Sequence, residues 1–296
     1  MLLKHLKKYL LLIYILFFFI SLLPLLISEI KTRNDFNSNS ELFKIELTRF
    51  KNISDLTAHI DGIYSVQHSL DKIDTSAYVN ICSEIVKRRF YHGQSHYSIN
   101  ENWIACLSVK IIWAHLSAIV DPDDILNYNE ALCSQQAIVF MEILKRKGIT
   151  TRWIGWGKKE GPGHFLTEVF YNNDWHLYDV NKEPQWQKIK NRNNSMKYYL
   201  NNRDSLFIIY EGLINKTTLS QFLNQVRYGQ PNEFPAKKML LFHRTTKLIT
   251  YLLPIFFATL IIRQVLKNYK RRRSIPNSSS KIISTKRNDL SAESVF

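Results

Sequence analysis

Apolar positions follow three regimes along this chain. Residues 10–27 and 248–262 are two nearly unbroken apolar runs. Between them, apolar residues recur at helical spacing over 42–126 and 134–147, then shorten to strand-like runs at 150–156, 165–171 and 175–180. In the first helical stretch, Tyr78, Ile81, Cys82, Ile85 and Val86 follow a Ser76 N-cap, and Lys87, Arg88 and Arg89 read as a solvated helix end. Ile104, Leu107, Ile111 and Ile112, with Trp103 and Trp113, predict a second amphipathic segment. Asp121-Pro122-Asp123-Asp124 breaks the pattern. In residues 134–147, Ala137, Ile138, Phe140, Met141 and Leu144 share a face, with Gly148 as a C′ stop.

Asn172-Asn173 predicts a two-residue hairpin turn, which requires positive φ. Tyr171 then pairs with Asp174 and Asp179 comes opposite Leu166, on the face that also carries His164. A three-residue turn would set Asp179 opposite Thr167 instead. Beyond Asp179 the pattern weakens. Residues 181–194 are polar, 197–213 read as a helix followed by a strand, and 217–226 as a short helix. Residues 34–41 form a polar linker, 274–296 a polar tail predicted to be disordered, and no internal repeat is visible.

The two apolar runs change how the charge is read. Residues 10–27 are long enough to cross a bilayer, follow Lys4, Lys7 and Lys8, and are not followed by an A-x-A-like cleavage site, so they read as an uncleaved anchor. Residues 248–266 make a second span if Arg263 snorkels to the interface; Pro254 is tolerable inside it. Of the net charge of +15, residues 1–30 carry +2 and residues 263–296 carry +7, which leaves +6 on the residues between with no dense basic run. That distribution argues against a nucleic-acid partner and for membrane topology. Basic residues flank the outer end of each span, so both termini are expected in the cytoplasm and residues 30–245 on the other side. Lys237, Lys238, Arg244 and Lys247 oppose this but are outweighed by Lys270, Arg271, Arg272 and Arg273. The organisation expected is a basic N-terminus at 1–9, a span at 10–27, a linker at 28–41, a domain at 42–235, a span at 248–266 and a cytoplasmic tail at 267–296.

A hydrophobic content of 45% with 22% charged residues is globular. Three cysteines without a C-x-x-C pair exclude a structural zinc framework. Cys82–Cys106 is the disulfide that would leave Cys133 free; the preferred reading is two small buried hydrophobes. His92 and His96 lack acidic or thiol neighbours in sequence and read as loop residues rather than metal ligands. Cys133 is different, because it falls at the head of a predicted helix. The helix dipole and free N–H groups there favour a thiolate and supply part of an oxyanion hole. His164 is placed to take the thiol proton, and Asp179 to hold the imidazole in the tautomer that allows it.

Cys133 before a helix with small Ala137, the stretch LKRKGITTRWIGW (residues 144–156), His164 in HFLTEV, the aromatic-rich turn, and Trp175 four residues before Asp179 together resemble the transglutaminase-like superfamily. The likeness spans about 50 residues, within 128–179. Ala131 and Leu132 stand where the family often has glycine or a polar residue, and Leu166 where an aromatic is common. The resemblance implies an α+β, papain-like core, with a helical N-terminal part packed on a small antiparallel sheet, here between two transmembrane helices. It implies acyl transfer or amide hydrolysis through a thioester on Cys133, with His164 and Asp179 completing a triad and no cofactor or metal. Its partners would be a peptide, protein or other amide or ester acyl donor, and the lipid bilayer. Asn127, Asn129 and Trp153 are candidates for a second oxyanion donor. The competing expectation is a non-catalytic module of the same fold, serving as a binding or scaffold domain in a membrane or cell-envelope assembly.

Overall fold

The computed structural model describes residues 2–27, 42–68, 74–112, 114–157, 163–182, 184–189 and 194–273. The linker at 28–41, Trp113, the loop residues at 158–162, part of the polar stretch at 181–194 and the tail beyond 273 lie outside the described residues. The chain divides into two compact units, one of Met1–Ser28 with Leu248–Phe296 and the other Glu29–Lys247.

The first unit holds helix α1 (Leu2–Leu26) and the distal part of α10 (Lys237–Arg273). Phe17 stacks on Phe257 with centroids 5.4 Å apart, but most large apolar side chains on both segments are exposed. With mean hydropathies of 2.6 and 1.8, both helices are long and apolar enough to cross a membrane. At about 1.5 Å per residue, α10 is roughly 55 Å long, well beyond the ~30 Å a bilayer core demands.

The second unit is a mixed helix-and-sheet body. Helices α2 (Ile53–Gln67), α3 (Thr75–Arg89), α4 (Ile99–Ile111) and α5 (Pro122–Ile125) precede α6 (Cys133–Arg146). Short strands β1 (Tyr91–His92) and β2 (Glu130–Ala131) pair in parallel between them. Strands β3 (Thr151–Gly157), β4 (Gly163–Tyr171) and β5 (Asp174–Tyr178) form an antiparallel sheet, and β6 (Val226–Tyr228) adds to it in the order β5-β4-β3-β6. Helices α7 (Met196–Asn201), α8 (Arg203–Ile209) and α9 (Lys216–Leu223) lie between β5 and β6 in sequence.

The sheet separates two cores. Val169 and Tyr178 face α6 and the helices around it, with Ile138, Phe140, Ile143 and Leu144 of α6 buried in the same cluster. Each such side chain contributes about 1.5–3 kcal/mol on burial. Ile154, Trp156, Leu166 and Leu177 face the other way, onto Met196, Leu206, Tyr210 and Leu219. α6 ends in a Schellman motif: the Ile149 N–H reaches Leu144 O and the Gly148 N–H reaches Lys145 O, with Gly148 at φ 70°. Asn172 and Asn173 turn the β4–β5 hairpin at φ 49° and 62°, and Tyr171 pairs with Asp174. This is the two-residue turn the asparagine pair predicts.

Several local readings are corrected. Asp74, not Ser76, caps α3, accepting the Ala77 N–H at 3.2 Å. Arg89 is no solvated helix end. It is fully buried, stacks over Phe90, and donates to Leu126 O and Tyr128 O, tying α3 to the loop that leads into α6. Burial pulls its pKa down to about 10. On α4, Leu107, Ile111 and Ile112 are exposed while Asn102 is buried, its amide donating to Thr246 Oγ1 at 2.9 Å. The expected strand within 197–213 is helix α8, because Leu206, Ile209 and Tyr210 repeat at helical spacing against the second core. A short apolar run does not reveal its period alone. The helix expected at 217–226 stops at Leu223, and Val226 opens a fourth strand beside β3. The acidic cluster before α6 is structural. Asp123 accepts the Ile53 N–H, Asp124 takes Tyr97 and Lys247, and Asp121 takes Arg244.

Candidate active site

Cys133 is the first residue of α6. Leu132, at the N-cap, offers no side-chain acceptor. The Gln135 carboxamide oxygen instead accepts the Leu132 and Ser95 N–H groups at 3.0 and 3.1 Å, while its nitrogen donates to Ser95 O and Ile119 O. The fully engaged glutamine pins the helix start, leaving first-turn N–H groups that no helical carbonyl can reach beside the cysteine.

His164 enters β4 directly after Gly163, which pairs with Gly157 at the loop end of the β3–β4 hairpin. A Cβ on Gly163 would lie 2.4 Å from Trp156 O, so only glycine permits this approach. Trp156 stands opposite His164 in register, with ring centroids 5.8 Å apart. On the partner strand, Thr167 pairs with Tyr178, which sets Asp179 level with Leu166 and diagonal to His164.

The three side chains meet. His164 Nε2 lies 2.6 Å from Asp179 Oδ2. The other ring nitrogen, Nδ1, is left free of Asp179, and the Cys133 thiol is electrostatically coupled to His164. The Phe165 backbone N–H also favours the Cys133 thiolate. Both oxygens of Asp179 are engaged: Oδ1 accepts the Asn181 and Lys182 N–H groups at 3.0 and 2.9 Å, and Oδ2 accepts the Tyr210 hydroxyl at 2.8 Å. His164, Asp179 and Tyr210 are buried, and Cys133 is half-buried.

Burial works against charge at all three groups and is overcome at each. At Cys133, burial favours the neutral thiol, but the hydrogen bond and positive charge of His164, with the Phe165 N–H, bring the pKa below its ordinary value. At His164, burial favours neutral imidazole, but the charge and hydrogen bond of Asp179, then those of Cys133, push the pKa up to about 10. At Asp179, burial favours the acid, but the His164 charge and hydrogen bond, the Lys182 N–H and the Tyr210 hydroxyl hold it below the usual carboxylate range. The shifts on cysteine and histidine have opposite signs, as a thiolate–imidazolium pair requires.

Tyr210 and Trp156 were not singled out by sequence. Tyr210 reaches Asp179 from the C-cap of α8, 31 residues away, and nothing in the local sequence marks its hydroxyl as a partner of Asp179. The three oxyanion candidates are not gathered here. Asn127 is exposed and donates to Asp123 O, and Asn129 is exposed with its carbonyl bound by Tyr91 N–H. Trp153 pairs with Thr167 on the opposite sheet face from His164, stacking on Phe165. His92 lies at the site's edge, its Nδ1 3.3 Å from the Asn181 carboxamide nitrogen, and His96 bridges Ala118. All three cysteines are free; Cys82 is buried and its thiol is pushed well up by burial, while Cys106 donates to Tyr97 O. Among the described residues no group of three or more His, Cys, Asp or Glu is arranged to hold a metal ion.

Among solved structures, the chain is similar to one described as "Crystal structure of a TGase", at 14% identity and a TM-score of 0.28, covering 74% of this chain and 53% of that one. The chain thus spans about half the length of that protein, and a likeness so distant fixes neither fold nor chemistry. No family model and no curated protein matches the chain.

Proposed function

We propose that the chain is a membrane-tethered cysteine enzyme of transglutaminase-like type, built on a papain-like core, which transfers or hydrolyses acyl groups through a thioester on Cys133. One observation carries this reading: Cys133, at the head of α6, is electrostatically coupled to His164, which lies 2.6 Å from an Asp179 whose remaining acceptor sites are filled. A structural ion pair has no need of a thiol at its open end.

The chemistry follows from the protonation states. The Cys133 thiolate attacks an amide or ester carbonyl carbon, and the oxyanion that forms is met by first-turn N–H groups of α6. The imidazolium of His164 gives its proton to the leaving nitrogen or oxygen as the carbon–heteroatom bond breaks, leaving the thioester. Neutral His164 then takes a proton from water or an amine, which attacks the thioester carbon and expels the thiolate. Asp179 keeps its charge throughout, and Tyr210 and the two backbone N–H groups keep it in place.

The two apolar helices and the flanking basic residues support a topology with both termini cytoplasmic and the site on the opposite side. Arg244 and Lys247, which count against it by charge alone, are ion-paired to Asp121 and Asp124. A reporter fused after Phe234 tests the topology; activity on the cytoplasmic side contradicts it. The chemistry is tested by incubating membranes with a biotin-tagged primary amine. Wild-type chain is expected to couple the amine to an acyl donor and the Cys133→Ala chain to couple none; equal coupling by both contradicts the reading.

A further inference from the structure

A cavity of about 1000 Å³, a volume that suits a peptide-sized ligand, opens where Asn181 and Lys182 follow Asp179, although Cys133, His164 and Asp179 do not themselves line it. Its wall includes Gln136, one helical turn after Cys133, and Asn181, two residues after Asp179. A chain of contacts makes this wall continuous: the Gln136 carboxamide nitrogen donates to Ala131 O, Ala131 pairs with His92, and His92 meets the Asn181 carboxamide.

Two residues of this wall carry buried carboxamide oxygens without a hydrogen-bond partner, Gln136 Oε1 and Asn181 Oδ1. Gln136 is 2% exposed, and its orientation is fixed because its nitrogen must face the Ala131 carbonyl. Buried acceptors are almost always satisfied, so a pair of orphans lining one cavity calls for a ligand that brings donors. The charge of the cavity narrows the choice. Lys87 and Lys182 line it with Glu84 as the acidic member, a positive balance that disfavours an ammonium and favours neutral N–H groups beside a carboxylate. Trp186 adds an aromatic surface.

We propose that this cavity is the acyl-donor subsite and that it reads peptide amide groups, with Gln136 Oε1 and Asn181 Oδ1 accepting main-chain N–H groups and a nearby peptide carboxylate turned toward Lys182. The inference rests on the acyl-transfer reading above for its place in the reaction, but the binding is testable without turnover. The full chain carrying Cys133→Ala, in detergent micelles, is titrated calorimetrically with N-acetyl-trialanine and with the same peptide N-methylated at every amide. N-methylation is expected to weaken binding about tenfold or more, the worth of a buried hydrogen bond or two. Adding Gln136→Met, or separately Asn181→Ala, is expected to shrink that discrimination, and replacing the peptide carboxylate by an amide to weaken binding in the parent chain. Equal affinity for the two peptides, no binding of either, or full discrimination in both added variants overturns the subsite. Alkylation of Cys133 in the unsubstituted chain reports separately on the triad, so a reactive thiol with no amide discrimination sinks the subsite alone.

Discussion

Two charge pairs, each with a buried carboxylate, have one member on β4, four residues apart, and their difference separates scaffold from chemistry. Glu168 is fully buried and receives Arg152 at 2.6 Å and the Met196 N–H at 2.5 Å, while the guanidinium lies between the Trp175 and Tyr228 rings. Asp179 receives His164 at 2.6 Å and is also held by Tyr210 and two backbone N–H groups. Arginine cannot give up its proton in this range, so the first pair is a fixed tie between β3, β4 and α7. The second has one end on a titratable ring whose other nitrogen meets a thiol. Burial and saturation are common to both; a movable proton beside a nucleophile belongs to one.

The comparison breaks most visibly at Asp179. Asp179→Asn is expected to lower Cys133-dependent acyl transfer by about 10³–10⁴-fold, because the imidazolium loses its counter-charge and its tautomer control. Glu168→Gln is expected to act on stability instead. It strands the Arg152 charge, costs about 3–5 kcal/mol, and shows as a fall in thermal midpoint larger than that of Asp179→Asn. Equal falls would mean that the two pairs are both scaffold. Inserting one residue between Asn172 and Asn173 leaves both pairs' residues present but slips β5, carrying Asp179 out of line with His164. An activity loss of roughly 10²-fold is expected, while the Arg152–Glu168 pair, formed across β3 and β4, survives. Tyr210→Phe is the mildest change, worth about 1 kcal/mol and under tenfold in rate. With one donor gone, the depressed pKa of Asp179 rises, and the acid limb of the pH–rate profile is expected to move to higher pH.

What could be read from sequence was whatever a single segment encodes. The head of α6, the Gly148 stop, the Asn172-Asn173 turn and hence the register of Asp179 all follow from periodicity and positive φ, and the structure places them so. Groups that act across the sheet left no such trace. Tyr210 comes from a run too short to reveal its period, Arg89 looks like any basic helix end until its carbonyl partners 37 and 39 residues away are known, and Gln136 is conspicuous only because its oxygen has no partner. The exposed Leu107, Ile111 and Ile112 show the converse, since helical spacing states which residues share a face but not which face is covered.

The proton beside Cys133 is the centre of the account, and alkylation against pH measures it directly. The full chain in micelles is treated with iodoacetamide from pH 5 to 10 and modification at Cys133 is followed by peptide mass spectrometry, which separates it from buried Cys82 and half-buried Cys106. Reactivity is expected to rise through an inflection below the ~8.5 of a free thiol, and in His164→Ala to rise only above it, since burial then outweighs the remaining Phe165 N–H. An inflection at or above the free-thiol value in the unsubstituted chain, unmoved by loss of His164, would contradict the thiolate–imidazolium pair and the enzyme built on it.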